Sequence, residues 1–349
     1  MSSLRNLFVC HTQAQLILAT GLSLGRFKND ENHLILFRDF NLSEEFADKL
    51  NSIFNSTLFL IGKYPAENNT FTQRIRWQHK NNRILNKQIN IPYDRVFAVC
   101  DWTPSVQYCL KRCYLLNTAT EFMWLEDGII AYFQNVETRS GSERFALTKF
   151  LRKVLFKYIL GIGHIYDRDF NGMGGLKIFK QMYSLYPSAV REPYASTKKI
   201  LQITNEEYLS GISNLYDVGN IEVPNNSIIL IVDKLDTYVY PDIVRKEFAQ
   251  IIQNALYKGQ KVFCKFHPRE EQNWSEFTEC TVLDKNIAAE SLYLSLSNKT
   301  DISIIGVKST GLMSARKMGF SVYSFFNLTG EKNHELVNFF TRIGVNLIS

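Results

Sequence analysis

Carboxylates, an imidazole and two hydroxyls stand at three places along this chain where a run of largely apolar residues ends. They are Glu126-Asp127-Gly128 after Phe122 to Leu125, His267-Pro268 after Lys261 to Phe266, and Ser309-Thr310 after Ile302 to Val307. At the carboxyl ends of strands, such groups are the parts of a site that takes a proton from one group and stabilises a departing phosphate. The pattern points to an enzyme that uses a phosphorylated donor.

Each signal has a chemical reading and a plainer one. Asp127 and Glu126 precede a Gly that lets the backbone turn tightly, and either can serve as a base. Adjacent acids on a strand point to opposite faces, so at most one should face the site. The pair serves equally well as solvated caps of a turn. A third acid, Asp233, ends the run Ser227 to Val232, and its ordinary role is a helix cap or a partner of Lys234. Pro268 biases His267 to an extended backbone and aims the imidazole from the strand end. There it can act as an acid or as a cationic stabiliser of phosphate, with Lys265 and Arg269 adding charge. Ser309 and Thr310 precede a helix starting near Gly311, where hydroxyls and free amides hold a phosphate, cap the helix, or do both. Lys308 is either added charge or a solvated lysine. His11 is a candidate to line a cleft, whereas His33, His79, His164 and His334 read as surface or loop residues. Gly172 to Gly175 reads as a loop hinge as readily as a phosphate cradle, and Tyr183, Tyr186 and Tyr194 as core packing in preference to a stacking surface for a sugar.

Strands alternating with helices must position these groups. Strands are expected at Asn6 to Cys10, Leu34 to Phe37, Ser56 to Ile61, Arg95 to Val99 and Glu121 to Leu125. Helices are expected at Gln13 to Leu24, Phe46 to Phe54, Thr72 to Lys87 and Pro104 to Leu116. A basic helical stretch follows from Thr148 to Leu160, and residues 161–225 read as a variable connection. The second half repeats the alternation, with strands at Ser227 to Val232, Lys261 to Phe266, Thr281 to Leu283, Ile302 to Val307 and Ser321 to Phe325. Helices Ile243 to Tyr257, Ala288 to Ser295 and Gly311 to Met318 lie between them. The reading is α/β: two Rossmann-like domains facing a cleft, residues 1–225 and 226–349.

Composition agrees with a globular enzyme. The 349 residues are 45% apolar and 21% charged, enough for two buried cores. A net charge of +6 favours anionic ligands or an anionic lipid surface, and no nucleic-acid recognition motif accompanies it. The start reads as neither signal peptide nor membrane anchor, so the expected location is cytoplasmic, with peripheral contact at the inner membrane. The six cysteines are scattered and read as free thiols, so no structural zinc is expected. Neither a Gly-x-Gly-x-x-Gly nor a Walker pattern occurs, which argues against a dinucleotide dehydrogenase or a P-loop enzyme.

In order and spacing the three signals resemble those of bacterial sialyltransferases with two Rossmann-like domains, the lipooligosaccharide sialyltransferases and capsular polysialyltransferases. Trp124-Leu125-Glu126-Asp127-Gly128 is similar to their acidic-acidic-Gly motif, and Lys265-Phe266-His267-Pro268-Arg269-Glu270 to their His-Pro motif. Ile305-Gly306-Val307-Lys308-Ser309-Thr310 is similar to their paired-hydroxyl motif, and Asn6 to Thr12 to the first strand of the lipooligosaccharide group. The resemblance implies the GT-B architecture and an inverting, metal-independent transfer of sialic acid from CMP-sialic acid. The implied acceptor is a terminal sugar of lipooligosaccharide or capsule, or the end of a polysialic acid chain. No cofactor is implied beyond the donor substrate. The family pattern favours Asp127 as base over Glu126, while an acid placed like Asp233 is the base implied by the lipooligosaccharide group. The choice stays among these three. Glu290 resembles the family's acid that bonds the ribose of CMP, an exposed helical Glu being the alternative. Lys265, Pro268, Arg269, Lys308, Ser309 and Thr310 complete the implied donor site. A transferase for another nucleotide sugar, or a nucleotide- or glycan-binding protein without turnover, are the competing readings.

Overall fold

The structure is a computed structural model describing residues 3–62, 71–133, 154, 157–158, 162–170, 172–217, 221–272, 274–285, 287–296 and 301–349. The chain divides into two compact units, Met1–Ala131 with Val136–Leu215, and Tyr132–Asn135 with Tyr216–Ser349.

The first unit begins with β1 (Arg5–Cys10), α1 (Gln13–Leu24), β2 (Glu31–Arg38), α2 (Glu44–Ile53), β3 (Ser56–Ile61) and α3 (Phe71–Gln88). It continues through β4 (Arg95–Ala98), α4 (Pro104–Leu116), β5 (Glu121–Leu125), β6 (Phe179–Ser184), β7 (Lys199–Gln202) and α5 (Asn205–Leu215). All strands are parallel in the order β3-β2-β1-β4-β5-β6-β7. Central β1 is buried along almost its whole length, as a strand covered on both faces must be. The direction of strand addition reverses between β1 and β4, and ligands of such sheets bind outside the carboxyl ends at that point.

The second unit repeats the plan with β8 (Ser227–Val232), α6 (Pro241–Tyr257), β9 (Lys261–Phe266), β10 (Thr281–Val282), α7 (Ala289–Ser295) and β11 (Ser303–Gly306). It ends with α8 (Thr310–Lys317), β12 (Ser321–Ser324), α9 (His334–Ile343) and β13 (Asn346–Leu347). Its parallel order is β10-β9-β8-β11-β12-β13, and the reversal lies between β8 and β11. Every residue of β8 is buried. Gly306 of β11 lies so close to β8 that a Cβ there would stand 2.8 Å from the Ile231 carbonyl oxygen.

The stretch read as a variable connection contains two strands of the first sheet and a helix. β6 and β7 extend the first sheet, and α5 lies against α1 with glycines at the contact. A Cβ on Gly21 would come within 2.0 Å of the Glu207 carbonyl oxygen, and one on Gly211 equally close to that of Ile17. Gly211 is therefore what lets the two backbones touch, not a helix breaker. The expected basic helix from Thr148 to Leu160 lies almost wholly outside the described residues.

Candidate active site

At the end of β5 the two neighbouring acids part. Glu126 is buried, and its Oε2 accepts from the Leu185 amide at 2.9 Å, which ties the end of β6 to β5. Asp127 is only partly buried, and its Oδ1 accepts from Gln15 Nε2 at 2.8 Å. Gly128 then takes φ +53, a conformation glycine adopts without strain. Gln15 is itself buried. Its Oε1 accepts from the amides of His11 at 2.6 Å and Thr12 at 3.3 Å, while its own amide donates to Thr12 Oγ1 at 3.4 Å. This is a capping box at the start of α1, and its second residue also holds the candidate base. Nothing in the sequence marked Gln15 for that task.

Beside it, His11 is buried, stacked on Phe37 at 4.7 Å, with Nδ1 3.3 Å from Asp39 Oδ2. Burial, with Cys100 and Asp127 nearby, pushes the Cys10 thiol far up. The six cysteines are free thiols, and no cluster of three His, Cys, Asp or Glu suited to a metal occurs among the described residues.

The loop around Gly172 to Gly175 packs on the core. Gly174 has φ +74, and a Cβ on it would stand 2.5 Å from the Trp124 ring. Tyr194 stacks on the same ring at 4.9 Å and donates to the Met173 carbonyl at 2.7 Å, and Tyr183 packs edge-on to Phe97. His33 corrects the surface reading. It is buried, with Nδ1 2.9 Å from the Tyr93 hydroxyl and Nε2 2.9 Å from Glu31, and burial lowers its pKa. His79, His164 and His334 are exposed.

In the second unit the motifs meet around the end of β8. The His267 amide donates to the Val232 carbonyl at 2.8 Å, one residue before Asp233. Asp233 accepts from the Tyr238 hydroxyl at 3.2 Å and also from the Ser309 hydroxyl and the Lys308 amide. Burial raises its pKa against the pull of these donors. Lys234 pairs with Asp236 at 2.5 Å. The Lys308 ammonium bonds Glu331 at 2.8 Å and the Thr237 carbonyl at 2.8 Å, so it is not a solvated lysine.

His267 is exposed, and its Nδ1 accepts from the Arg269 amide at 3.1 Å. That bond places the ring proton of neutral imidazole on Nε2. Desolvation lowers the pKa of His267, with the Arg269 and Lys265 charges adding to the effect, so the neutral form is favoured at pH 7. Pro268 and Arg269 are exposed beside it. Lys265, by contrast, is buried and gives its ammonium to the carbonyls of Lys285 at 3.0 Å and Phe266 at 3.2 Å. Glu270 anchors both loops at this edge, accepting from the Leu235 amide at 2.7 Å and the Gln272 amide at 2.8 Å.

Ser309 and Thr310 have different surroundings. Ser309 is the N-cap of α8, accepting from the Gly311 amide at 3.3 Å while donating to Asp233. Thr310 is exposed in the first turn. Glu290, half-buried at the start of α7, accepts from the Ser314 hydroxyl of α8 at 2.8 Å. The arrangement offers an exposed imidazole with its ring proton on Nε2 and an exposed threonine hydroxyl in the first turn of α8, both suited to an anionic oxygen.

The family model for alpha-2,8-polysialyltransferase (POLYST) matches residues 6–324. The chain belongs to this family. Among solved structures, the α/β-galactoside α-2,3-sialyltransferase of the luminous marine bacterium Photobacterium phosphoreum is similar with a TM-score of 0.59 at 13% identity, covering 99% of each chain. The UDP-GlcNAc 2-epimerase of Neisseria meningitidis, bound to UDP-GlcNAc, gives a TM-score of 0.58 at 12% identity over 99% of this chain and 87% of the other. Identities this low carry the fold alone, which is the two-domain α/β class of GT-B glycosyltransferases and these epimerases. No curated protein matches the chain in sequence. The polysialyltransferase family match agrees with the resemblance that the three motifs carry.

Proposed function

We propose that this family member is an inverting, metal-independent sialyltransferase. Its donor is CMP-sialic acid, and its acceptor is a terminal sugar of a bacterial surface glycan, lipooligosaccharide or capsule, including the end of a polysialic acid chain. The observation that carries the reading is the state of His267. A neutral imidazole with its proton on the outward Nε2 can donate to a phosphate oxygen as the bond to the sugar breaks. The exposed Thr310 hydroxyl supplies a further donor for that charge, and Asp233 holds the loop that presents it. Glu290 is the acid assigned to the ribose.

On the acceptor side the proton is assigned to Asp127. Glu126 is buried and bonded to the Leu185 amide, and Asp233 is buried among three donors, whereas Asp127 is only partly buried at the end of its strand. In the reaction the acceptor oxygen gives its proton to Asp127 and attacks the anomeric carbon. The bond from that carbon to the phosphate oxygen breaks, and CMP leaves with the electron pair.

A donor panel tests the reading. CMP-sialic acid, UDP-hexoses and UDP-N-acetylhexosamines are each incubated with galactose-terminated and oligosialic acceptors, and products are read by mass spectrometry. Transfer from CMP-sialic acid alone is expected, and Asp127→Asn is expected to abolish it with CMP affinity retained. Turnover of a UDP-sugar alone, or CMP binding with no turnover, overturns the assignment. An active Asp127→Asn beside an inactive Asp233→Asn moves the base to the second unit.

A further inference from the structure

Between Asn68 and Tyr93 the sequence contains no acidic residue, and α3 runs through that stretch. Arg76, Lys80, Arg83 and Lys87 follow one another at spacings of four, three and four, which places them on one face of a helix. At 1.5 Å per residue the row is about 16 Å long. All four are exposed, and among the described residues none has an acidic partner. The opposite face holds Asn81 and Leu85, both buried, so the helix is fixed to its unit by one side and offers its cations on the other. At one flank of the row His79, Asn82, Arg83 and Asn86 line a cavity of ≈ 360 Å³ with Pro104, Tyr108 and Ile162.

We propose that this face of α3 is a docking surface for an anionic lipid bilayer. The lipid phosphates lie against the row, and one headgroup enters the cavity beside Arg83. A row of cations on one helix face, with no acidic partner among the described residues, matches the charge of a plane of phosphates. The attachment proposed is electrostatic, carried by these four cations. Each cation held near an anionic leaflet contributes roughly fivefold to affinity, so the row as a whole contributes on the order of several hundredfold. The binding should also weaken steeply with salt. The proposal does not depend on the reaction catalysed.

The experiment is flotation of the full chain with phosphatidylcholine vesicles, with and without phosphatidylglycerol, over a salt series. The quadruple variant Arg76→Gln/Lys80→Gln/Arg83→Gln/Lys87→Gln is compared with Lys28→Gln/Lys199→Gln/Lys258→Gln/Lys261→Gln, which removes the same charge from exposed lysines elsewhere. Wild type and the control should float with the anionic vesicles at low salt, and the α3 variant should lose most of that binding at an unchanged melting temperature. No flotation by the wild type overturns the proposal, as does equal loss in both variants, which reduces the effect to net charge. If the α3 variant keeps vesicle binding and instead loses affinity for oligomers of α-2,8-linked sialic acid, the face belongs to a glycan and the proposal is wrong.

Discussion

Gln15 is the residue on which the assignment of the base turns. Its amide bonds Asp127 while its oxygen holds the amides at the start of α1, so one side chain joins the helix cap to the candidate base. Gln15→Glu separates these tasks, because Glu is an ordinary capping-box residue yet sets a second carboxylate against Asp127. A neighbouring like charge disfavours ionisation and raises the pKa of Asp127. The acidic limb of the kcat/KM profile should therefore move to higher pH with the melting temperature nearly unchanged, and an unmoved limb would remove Gln15 and Asp127 from the proton path. His267 makes the second prediction at this scale. Its replacement by Ala should lower transfer ~10²–10³-fold, the usual loss of one donor to charge that develops in the transition state. Because folding lowers its pKa, the working neutral form persists as pH rises, so wild-type activity should not fall between the ordinary imidazole pKa and neutrality. A fall there would show that the imidazolium is the active form. Sequence reading put His267, Asp127 and Asp233 just beyond strand ends, where the fold has them. It could not assign Lys265 and Lys308, because a lysine's partner depends on which carbonyls and acids the fold brings to it.

At the scale of elements, the paired hydroxyls come apart. Ser309 has a full set of partners as cap and donor to Asp233, so Ser309→Ala should cost about 0.5–2 kcal/mol of stability, the ordinary loss of a cap. Thr310→Val should leave the melting temperature alone and raise the donor KM, since a hydroxyl on a charged oxygen contributes about 1.5–3 kcal/mol. The reverse pattern, in which Ser309→Ala alone harms donor binding, would assign the phosphate to the cap residue. The contact of α1 with α5 supports a further prediction. A methyl on Gly211 meets main-chain atoms that cannot rotate away, so Gly211→Ala should destabilise by about 1–3 kcal/mol or more, read by denaturant unfolding. The same contact explains what sequence reading lost. β1 from Leu7 and β8 from Ile228 are continuous apolar runs, and α1, α4 and β5 have the bounds expected of them. β6 begins Phe-Lys-Gln, β7 is a short edge strand, and α5 carries a central Gly, so none shows the periodicity of a buried element.

Across the whole molecule the same strand order appears twice, with β8 to β13 repeating the pattern of β1 to β6. That repetition was legible because parallel strands buried on both faces are apolar throughout and regularly separated by helices. The path of the chain between the units was not legible. Just after the Gly128–Ala131 turn, Tyr132 and Phe133 join the second unit, where Tyr132 stacks on Phe339 at 4.4 Å and both rings are buried. A pair of aromatics after an acidic motif carries no sign of which core it will enter, since that is decided by the apolar face of α9, Leu336, Phe339, Phe340 and Ile343. The second unit is thus completed by residues that precede most of it in sequence. Tyr132→Ala should destabilise that unit, because removing a buried aromatic costs about 3–5 kcal/mol. Hydrogen exchange in α9 and β13 should quicken while β1 to β4 keep their protection. Equal loss in both units would mean that they unfold as one, and unchanged protection in α9 would show that the stacking contributes nothing to the second core.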